Sequence, residues 1–181
     1  DGDYTYEEWY YDHISIPPST TYVVFVFDTD YCVQDGYGWW LDYVIITGVK
    51  STDTSNNGNN ADFSNIKPGD ILFCRSPGFY DWLVPGYWMH CGIYVGDGKV
   101  IESAGKIGVH YSSLDDWHYY DEVAVGRVIT ASYSQIQSAI EFAKSQLGEP
   151  YDYWWPNKEI DDNSFYCSEL PWAAYKQAGI D

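Results

Sequence analysis

Cysteine and histidine are the residue types whose placement in this sequence could support chemistry. Cys167 lies in the segment Phe165–Leu170, just upstream of a helical pattern at the C-terminal end. The partial positive charge at a helix N-terminus lowers the pKa of a nearby thiol and favours the thiolate. A nucleophilic thiolate also needs a histidine that accepts and returns a proton, and a group that orients this histidine. The candidate histidines are His13, His90, His110 and His118.

A predicted β-hairpin decides which of these histidines has supporting geometry. Residues 88–95 and 99–103 have strand-like patterns on either side of Gly96, Asp97 and Gly98. A three-residue loop at these positions pairs Val95 with Lys99. A two-residue loop would instead reverse which side chains of the second strand share a face with those of the first.

With the three-residue loop, Gly92 lies opposite Glu102 and leaves space beside it. His90 then becomes a diagonal neighbour of Glu102, with about 5–8 Å between their Cβ atoms. One imidazole nitrogen could contact Glu102 while the other faces Cys167. The residue types alone leave an alternative open, because a buried cysteine near a helix start is more often an inert packing residue. A strand histidine is likewise more often simply hydrogen-bonded.

Other reactive-site patterns are missing from the sequence or broken in it. Residues 92–99 (GIYVGDGK) have a glycine spacing one residue too long for a phosphate loop, and Val100 replaces the required Ser or Thr. No Cys-x-x-Cys motif and no structural-zinc spacing occurs, so neither a metal nor a cofactor is expected. Cys91 should point to the face of its strand opposite His90, into the core. The four cysteines could form two disulfides, which a chain of this length does not need.

The composition bounds the class of partner. The chain has 27 acidic and 9 basic residues, for a formal net charge of −18. Such a charge repels nucleic-acid phosphates and anionic lipid surfaces. The longest apolar run, Tyr22–Phe27, is far shorter than the roughly 20 residues of a membrane span. We therefore expect no nucleic-acid partner and no membrane span, and the sequence leaves the oligomeric state open.

The polar run Ser51–Asn60 is predicted to be a surface loop or linker. It divides a β-rich N-terminal extension, residues 1–60, from an α+β domain, residues 61–181. The predicted elements of the extension are strands at 21–27 and 39–47. Those of the domain are a strand from Ile71, the hairpin, a strand over 123–129, a helix from a capping box at Ser134–Gln137 to Gly148, and a helix over 170–178.

Four segments together resemble a known family. They are KPGDILFCRS from Lys67, WMHCGIYVGDGKVIES from Trp88, LGEPYDYWW from Leu147 and FYCSELPWAAYKQAGI from Phe165. In this order they are similar to the circularly permuted NlpC-like papain-fold family of the YaeF/YiiX type, over about two thirds of the chain. The resemblance implies a permuted papain-like fold, with a central antiparallel sheet and helices packed on it.

The resemblance also implies roles for individual residues. Cys167 would be the nucleophile, His90 the general base and Glu102 the residue that orients His90. The expected substrate-binding residues are Tyr151, Tyr166 and Trp88, and Tyr151 could also help to hold the oxyanion.

One position departs from the family pattern. Pro171 stands where a valine is expected inside the terminal helix. Because proline suits the first helical turn and disrupts a helix interior, the helix is expected to begin near Leu170. Cys167 would then lie on the preceding turn.

The predicted function is cleavage of amide or peptide bonds of the cell-wall type by a cysteine peptidase or amidase, in the extracellular space or the cell envelope. The expected partner is a peptide, cell-wall or acyl-amide substrate. One alternative is an acyltransferase or lipid-amide hydrolase that uses the same residues. Another is a non-catalytic binding module built on this fold.

Overall fold

The computed structural model describes residues 58–76, 88–154 and 163–180, together with the backbone of two short strands nearer the N-terminus. These strands, β1 (Val23–Val26) and β2 (Tyr43–Ile46), pair with each other in antiparallel fashion. They fall within the two strands that the sequence predicts for the extension. The other residues before position 58 lie outside the described part of the chain, so a β-rich extension and its boundary at residue 60 stay predictions.

Five antiparallel strands form the main sheet. They are β3 (Ile71–Arg75), β4 (His90–Gly96), β5 (Lys99–Ala104), β6 (Gly108–Ser113) and β7 (Glu122–Gly126). Their spatial order is β6–β5–β4–β3–β7, which puts β4 in the centre. The sequence predicts four of these strands and misses β6. This edge strand is buried only over its first two residues, so its hydrophobic pattern is weak.

The turn between β4 and β5 differs from the predicted one. Gly96 pairs with Lys99, so the turn has two residues, Asp97 and Gly98. Both have positive φ, 52° and 68°, as a type I′ turn requires. The predicted pairing of Val95 with Lys99 is therefore wrong.

A β-bulge in β4 restores the register that the shorter turn would have reversed. The pairing shifts between Tyr94 and Gly96, where β4 contains one extra residue. Beyond the bulge, Gly92 lies opposite Glu102 as predicted. The side chains of His90 and Glu102 therefore share a face as predicted, but a bulge in β4 produces this register instead of a three-residue loop.

The helix α1 (Tyr133–Ser145) begins at a capping box two residues earlier than predicted. The Ser132 hydroxyl accepts from Gln135 N–H at 3.3 Å, and Ser132 N–H donates to Gln135 Oε1 at 3.0 Å. The sequence contains two overlapping Ser-x-x-Gln patterns, and the helix uses the first. Starting the helix from the second, at Ser134, was wrong.

The helix α2 (Glu169–Gln177) begins one residue before the predicted position. Pro171 is its third residue and lies in the first turn, where proline is tolerated. Cys167 lies on the turn that precedes the helix, as expected. Among the described residues, no helix is long and apolar enough to cross a membrane.

Two apolar clusters cover the two faces of the sheet, because alternate residues of each strand point to opposite sides. The helix-side cluster joins strand residues to α1 and α2, and includes Ile71, Cys91, Ile93, Ile101, Ile140, Leu170 and Ala173. The tryptophan-side cluster lies on the other face and includes Leu72, Cys74, Tyr94, Val100, Trp117 and Val123. Its centre, Trp117, comes from a short 3-10 helix, Leu114–Tyr119.

The end of the predicted linker is docked and buried. Asn59 Nδ2 donates to Trp117 O at 2.9 Å and to Tyr120 O at 2.7 Å, and Asn59 Oδ1 accepts from Ala61 N–H at 3.0 Å. The surface-loop prediction is therefore wrong at Asn59, whose amide binds the segment that carries Trp117.

Candidate active site

His90 and Glu102 meet on the tryptophan side of the sheet. His90 Nε2 hydrogen-bonds to Glu102 Oε2, which confirms the predicted contact. Gly92 makes this contact possible, because a Cβ there would lie 2.7 Å from Val100 Cγ1 and 3.1 Å from Glu102 Cβ. The missing side chain thus leaves room for the side chains of Val100 and Glu102.

Aromatic rings hold the imidazole of His90 in place. The ring of Trp117 stacks on it, with 5.8 Å between centroids and 18° between planes. The ring of Tyr120 lies at 6.5 Å. Because Trp117 is itself fully buried, these contacts restrict the imidazole to one plane.

The second oxygen of Glu102 faces another histidine. His110 pairs with Glu102 across β5 and β6, and its Nε2 lies 3.9 Å from Glu102 Oε1. His110 Nδ1 lies 2.9 Å from Gly108 O, to which it donates. The carboxylate therefore lies between two imidazoles, of which His90 is the one in hydrogen-bond contact.

Cys167, the third residue of the site, lies near the C-terminal end of the sequence, far from His90 and Glu102 along the chain. Its half-buried thiol is close enough to the imidazole of His90 for each group to shift the pKa of the other. Because Nε2 of His90 is bound to Glu102, Nδ1 is the ring nitrogen left for the thiol. The structure thus brings together the three residues that the sequence selects for catalysis.

The pKa values of Cys167, His90 and Glu102 are all shifted in the direction that favours the charged form of each group. Hydrogen bonds from Cys91 and from His90, with the positive charge of His90, hold the pKa of Cys167 well below its ordinary value despite burial. Burial opposes the charge on His90, but hydrogen bonds with Cys167 and Glu102 raise its pKa to about 9. Burial also opposes the charge on Glu102, yet its contact with His90 lowers the pKa. These shifts favour the thiolate of Cys167, the imidazolium of His90 and the carboxylate of Glu102.

The other two described cysteines are free thiols with different surroundings. Cys91 is buried in the helix-side cluster, as predicted. Its Sγ also donates to Cys167 O at 3.3 Å, a contact that the sequence does not indicate. Cys74 lies opposite His90 on β3, and burial raises its pKa. Cys32 lies outside the described residues.

The three predicted substrate-binding aromatics lie in different surroundings. Tyr166 is buried next to Cys167, and its pKa is raised by burial and by nearby negative charges. Tyr151 is half-buried and close enough to Tyr166 to contribute to that shift. The ring of Trp88 lies 6.2 Å from that of Phe73 on the adjoining strand. Substrate contact stays a prediction for all three.

Sequence reasoning missed two supporting residues. Glu169 is fully buried at the start of α2, and its Oε2 accepts from Tyr166 N–H at 3.2 Å. Trp117 lies on the 3-10 helix, which a Ser-x-x-Asp capping pattern at Ser113 and Asp116 could have revealed. In the described stretches, no three His, Cys, Asp or Glu side chains are grouped so that they could hold a metal ion.

Comparison with known proteins places the chain in a family. The sequence model of the permuted papain-like amidase enzymes of the YaeF/YiiX type, family C92, matches residues 65–181. The chain is 31% identical over 98 residues to the uncharacterized protein YycO of Bacillus subtilis (strain 168), covering 51% of this chain and 38% of that protein. It is 28% identical over 116 residues to the gamma-DL-glutamyl hydrolase of the same organism, covering 63% of this chain and 26% of that protein.

The chain thus spans less than two fifths of the length of these relatives. No solved structure matches it. The family match covers the whole five-stranded sheet and both helices. It also includes Cys167, His90 and Glu102. The chain belongs to the permuted papain-like amidase family of the YaeF/YiiX type.

Proposed function

We propose that this chain is a cysteine amidase in which Cys167 is the nucleophile, His90 the general acid and base, and Glu102 the group that orients His90. The observation that carries the proposal is the position of His90, which contacts the Glu102 carboxylate through Nε2 and interacts with the Cys167 thiol. A nucleophile, a base and an orienting group in hydrogen-bond sequence are what covalent acyl transfer needs. Membership in an amidase family supports the same reaction.

The proposed reaction has two stages. The Cys167 thiolate attacks the amide carbonyl carbon, a C–S bond forms, and the carbonyl electrons move to the oxygen. The Cys167 main-chain N–H and a neighbouring donor at the start of α2 stabilise this oxyanion. The imidazolium of His90 then protonates the amine as the C–N bond breaks. In the second stage neutral His90 takes a proton from water, which attacks the thioester and releases the acid and the thiolate.

We further propose that the amide belongs to a peptide of the cell-wall type, cleaved at the cell envelope or outside the cell. One relative is a gamma-DL-glutamyl hydrolase, so an amide on a glutamyl side chain is the first linkage to test. The acidic character of the chain disfavours strongly anionic polymers as substrates, because they would be repelled.

The experiment combines thiol alkylation with hydrolysis. Iodoacetamide modification of Cys167, located by peptide mass mapping, is followed from pH 4 to 10 in the native protein and in His90→Ala. The native midpoint should lie well below the value of about 8.5 for a free thiol, and His90→Ala should move it upward. Cys74→Ala is the matched control, because it removes a neighbouring thiol that has no part in the reaction.

Hydrolysis is then compared on γ-glutamyl and α-linked peptides and on N-acyl amines. Cleavage of the γ-glutamyl amide is the expected result, and it should disappear in His90→Ala. An ordinary Cys167 midpoint that is indifferent to His90 would overturn the proposed function and favour a binding module. Selective release of acyl chains would instead favour the lipid-amide alternative.

A further inference from the structure

Two consecutive residues of β4 contact Cys167. Side chains of neighbouring strand residues point to opposite faces, so His90 approaches from the tryptophan side and Cys91 from the helix side. The thiol of Cys91 donates to Cys167 O at 3.3 Å. Its thiol and main-chain N–H are also close enough to the Cys167 sulfur to lower the pKa of the Cys167 thiol. Two residues of β4 therefore contact Cys167, one from each face of the sheet.

The strand pairing explains why β4 can contact Cys167 at these two residues. The pairing of β4 with β5 begins at Gly92, opposite Glu102, one residue beyond Cys91. The chain segment that leads to Cys167 runs beside the end of β5, because the hydroxyl of Ser103 on β5 donates to Phe165 O. Cys167, two residues later, thus lies beside the part of β4 that precedes its pairing with β5.

We propose that Cys91 is a positioning residue for the nucleophile, a role that rests on the proposed function. Its thiol proton is directed at the Cys167 carbonyl oxygen while Cys167 is neutral, and it turns to the sulfur when Cys167 ionises. The main-chain N–H supports the same sulfur. Cys91 itself neither attacks nor protonates the substrate.

The surroundings of Cys91 suit a permanent donor. The residue is only 3% exposed, and hydrogen bonds strengthen where water is excluded. Burial and the neighbouring Cys167 raise the pKa of Cys91 well above its ordinary value, so it keeps its proton where Cys167 has lost its own. A hydrogen bond to an ionised acceptor is roughly twice as strong as one between neutral groups. The contact therefore favours the thiolate over the thiol.

The titratable groups around the sulfur come from several elements. They are His90 and Cys91 on β4, Cys74 on β3, Glu102 on β5 acting through His90, and Tyr166 on the segment before α2. His90 supplies the positive charge, whereas Cys91 supplies neutral donors. The two contributions can therefore be separated by substitution.

The test compares Cys91→Val with Cys91→Ser by the pH dependence of Cys167 alkylation. Valine keeps an apolar side chain of similar size and removes the donor, whereas serine keeps a donor. In Cys91→Val the alkylation rate at a pH well below the native midpoint should fall about tenfold, which corresponds to a midpoint higher by about one pH unit. At pH 10, where Cys167 is ionised in every variant, the rates should agree. Cys91→Ser should stay close to the native profile.

Cys74→Val is the matched control, because it changes a buried thiol on the neighbouring strand. Thermal unfolding checks that each variant is folded, and Cys91→Ala replaces Cys91→Val if valine is not accommodated. A Cys91→Val or Cys91→Ala profile that superimposes on the native one would overturn the positioning role, as would an equal loss of rate at every pH. A native midpoint that is already ordinary would instead overturn the proposed function itself.

Discussion

The two helices of the domain begin in different ways. At the start of α1, Ser132 and Gln135 satisfy each other's main-chain N–H groups through a complete capping box. At the start of α2, the N-cap residue Ser168 makes no capping hydrogen bond with its side chain. The carboxylate of Glu169 accepts from Tyr166 N–H instead, on the turn that carries Cys167.

The difference shows how the fold separates stability from chemistry. A serine N-cap typically contributes about 0.5–2 kcal/mol to helix stability, and α1 has this contribution. The start of α2 lacks it, and its first two N–H groups, those of Glu169 and Leu170, donate to Tyr166 O. Burial holds α2 in place instead, because Leu170, Ala173 and Ala174 are fully buried against the sheet and α1.

The largest effect should come from removing Cys167, the proposed nucleophile, which lies just before α2. Cys167→Ala is expected to abolish amide hydrolysis while the free energy of unfolding changes by less than about 1 kcal/mol, since this helix start depends on burial for its stability. Steady-state hydrolysis and urea unfolding measure the two quantities. Residual turnover above that of the uncatalysed reaction would show that another group performs the attack.

The next largest effect should come from Glu102→Gln, which keeps the shape of the side chain and removes its charge. Hydrolysis is expected to fall about 10²–10⁴-fold, the range of general acid–base contributions. In the native protein kcat/KM should fall as pH rises through about 9, because His90 then loses the proton that it donates to the amine. Without the carboxylate that raises the His90 pKa, this alkaline limb should move to lower pH. An unmoved limb would contradict the contact between Glu102 and His90 in solution.

A smaller effect on stability is expected for Gly92→Ala, which disturbs the strand side of the site and leaves both helix starts intact. The new Cβ would crowd Val100 and Glu102, at a cost of about 1–3 kcal/mol in unfolding free energy. Hydrolysis should fall as Glu102 moves away from His90. Full activity with native stability would mean that the carboxylate does not need this space. Gly98→Ala is the control that adds a methyl group without crowding: nothing lies within 4 Å of its Cβ position. It should keep full hydrolysis and lose only the roughly 1–2 kcal/mol that an alanine costs in the left-handed region.

The smallest effects compare the helix starts directly. Ser132→Ala should lower the free energy of unfolding by about 0.5–2 kcal/mol and leave hydrolysis unchanged. Ser168→Ala should change it by less than about 0.5 kcal/mol, because no side-chain cap is lost. Chemical unfolding of the two variants side by side measures this contrast. Equal losses would show that the two starts are capped to the same extent.

The strand side of the site could be predicted from the sequence because it is local. His90 and Glu102 are 12 positions apart in one hairpin, where the alternation of side chains limits the possible neighbours. The predicted turn was nevertheless wrong, and the correct pairing was reached because a bulge compensated for the shorter turn. The contact between Cys91 and Cys167 could not be predicted from local rules in this way. Cys91 and Cys167 are 76 positions apart, and no periodicity in either segment indicates their contact.

By itself, the sequence predicted that Cys167, His90 and Glu102 come together, and it predicted four strands of the main sheet and the two helices. The strands, the helices and the contact between His90 and Glu102 follow from short-range rules of periodicity and side-chain alternation, whereas the choice of Cys167 also rests on the family resemblance. Only the tertiary structure decided that Trp117 stacks on His90, that Asn59 binds the segment carrying Trp117, and that Cys91 donates to Cys167. Each of these contacts joins segments that are distant in the chain, and such contacts depend on how the packed faces fit together.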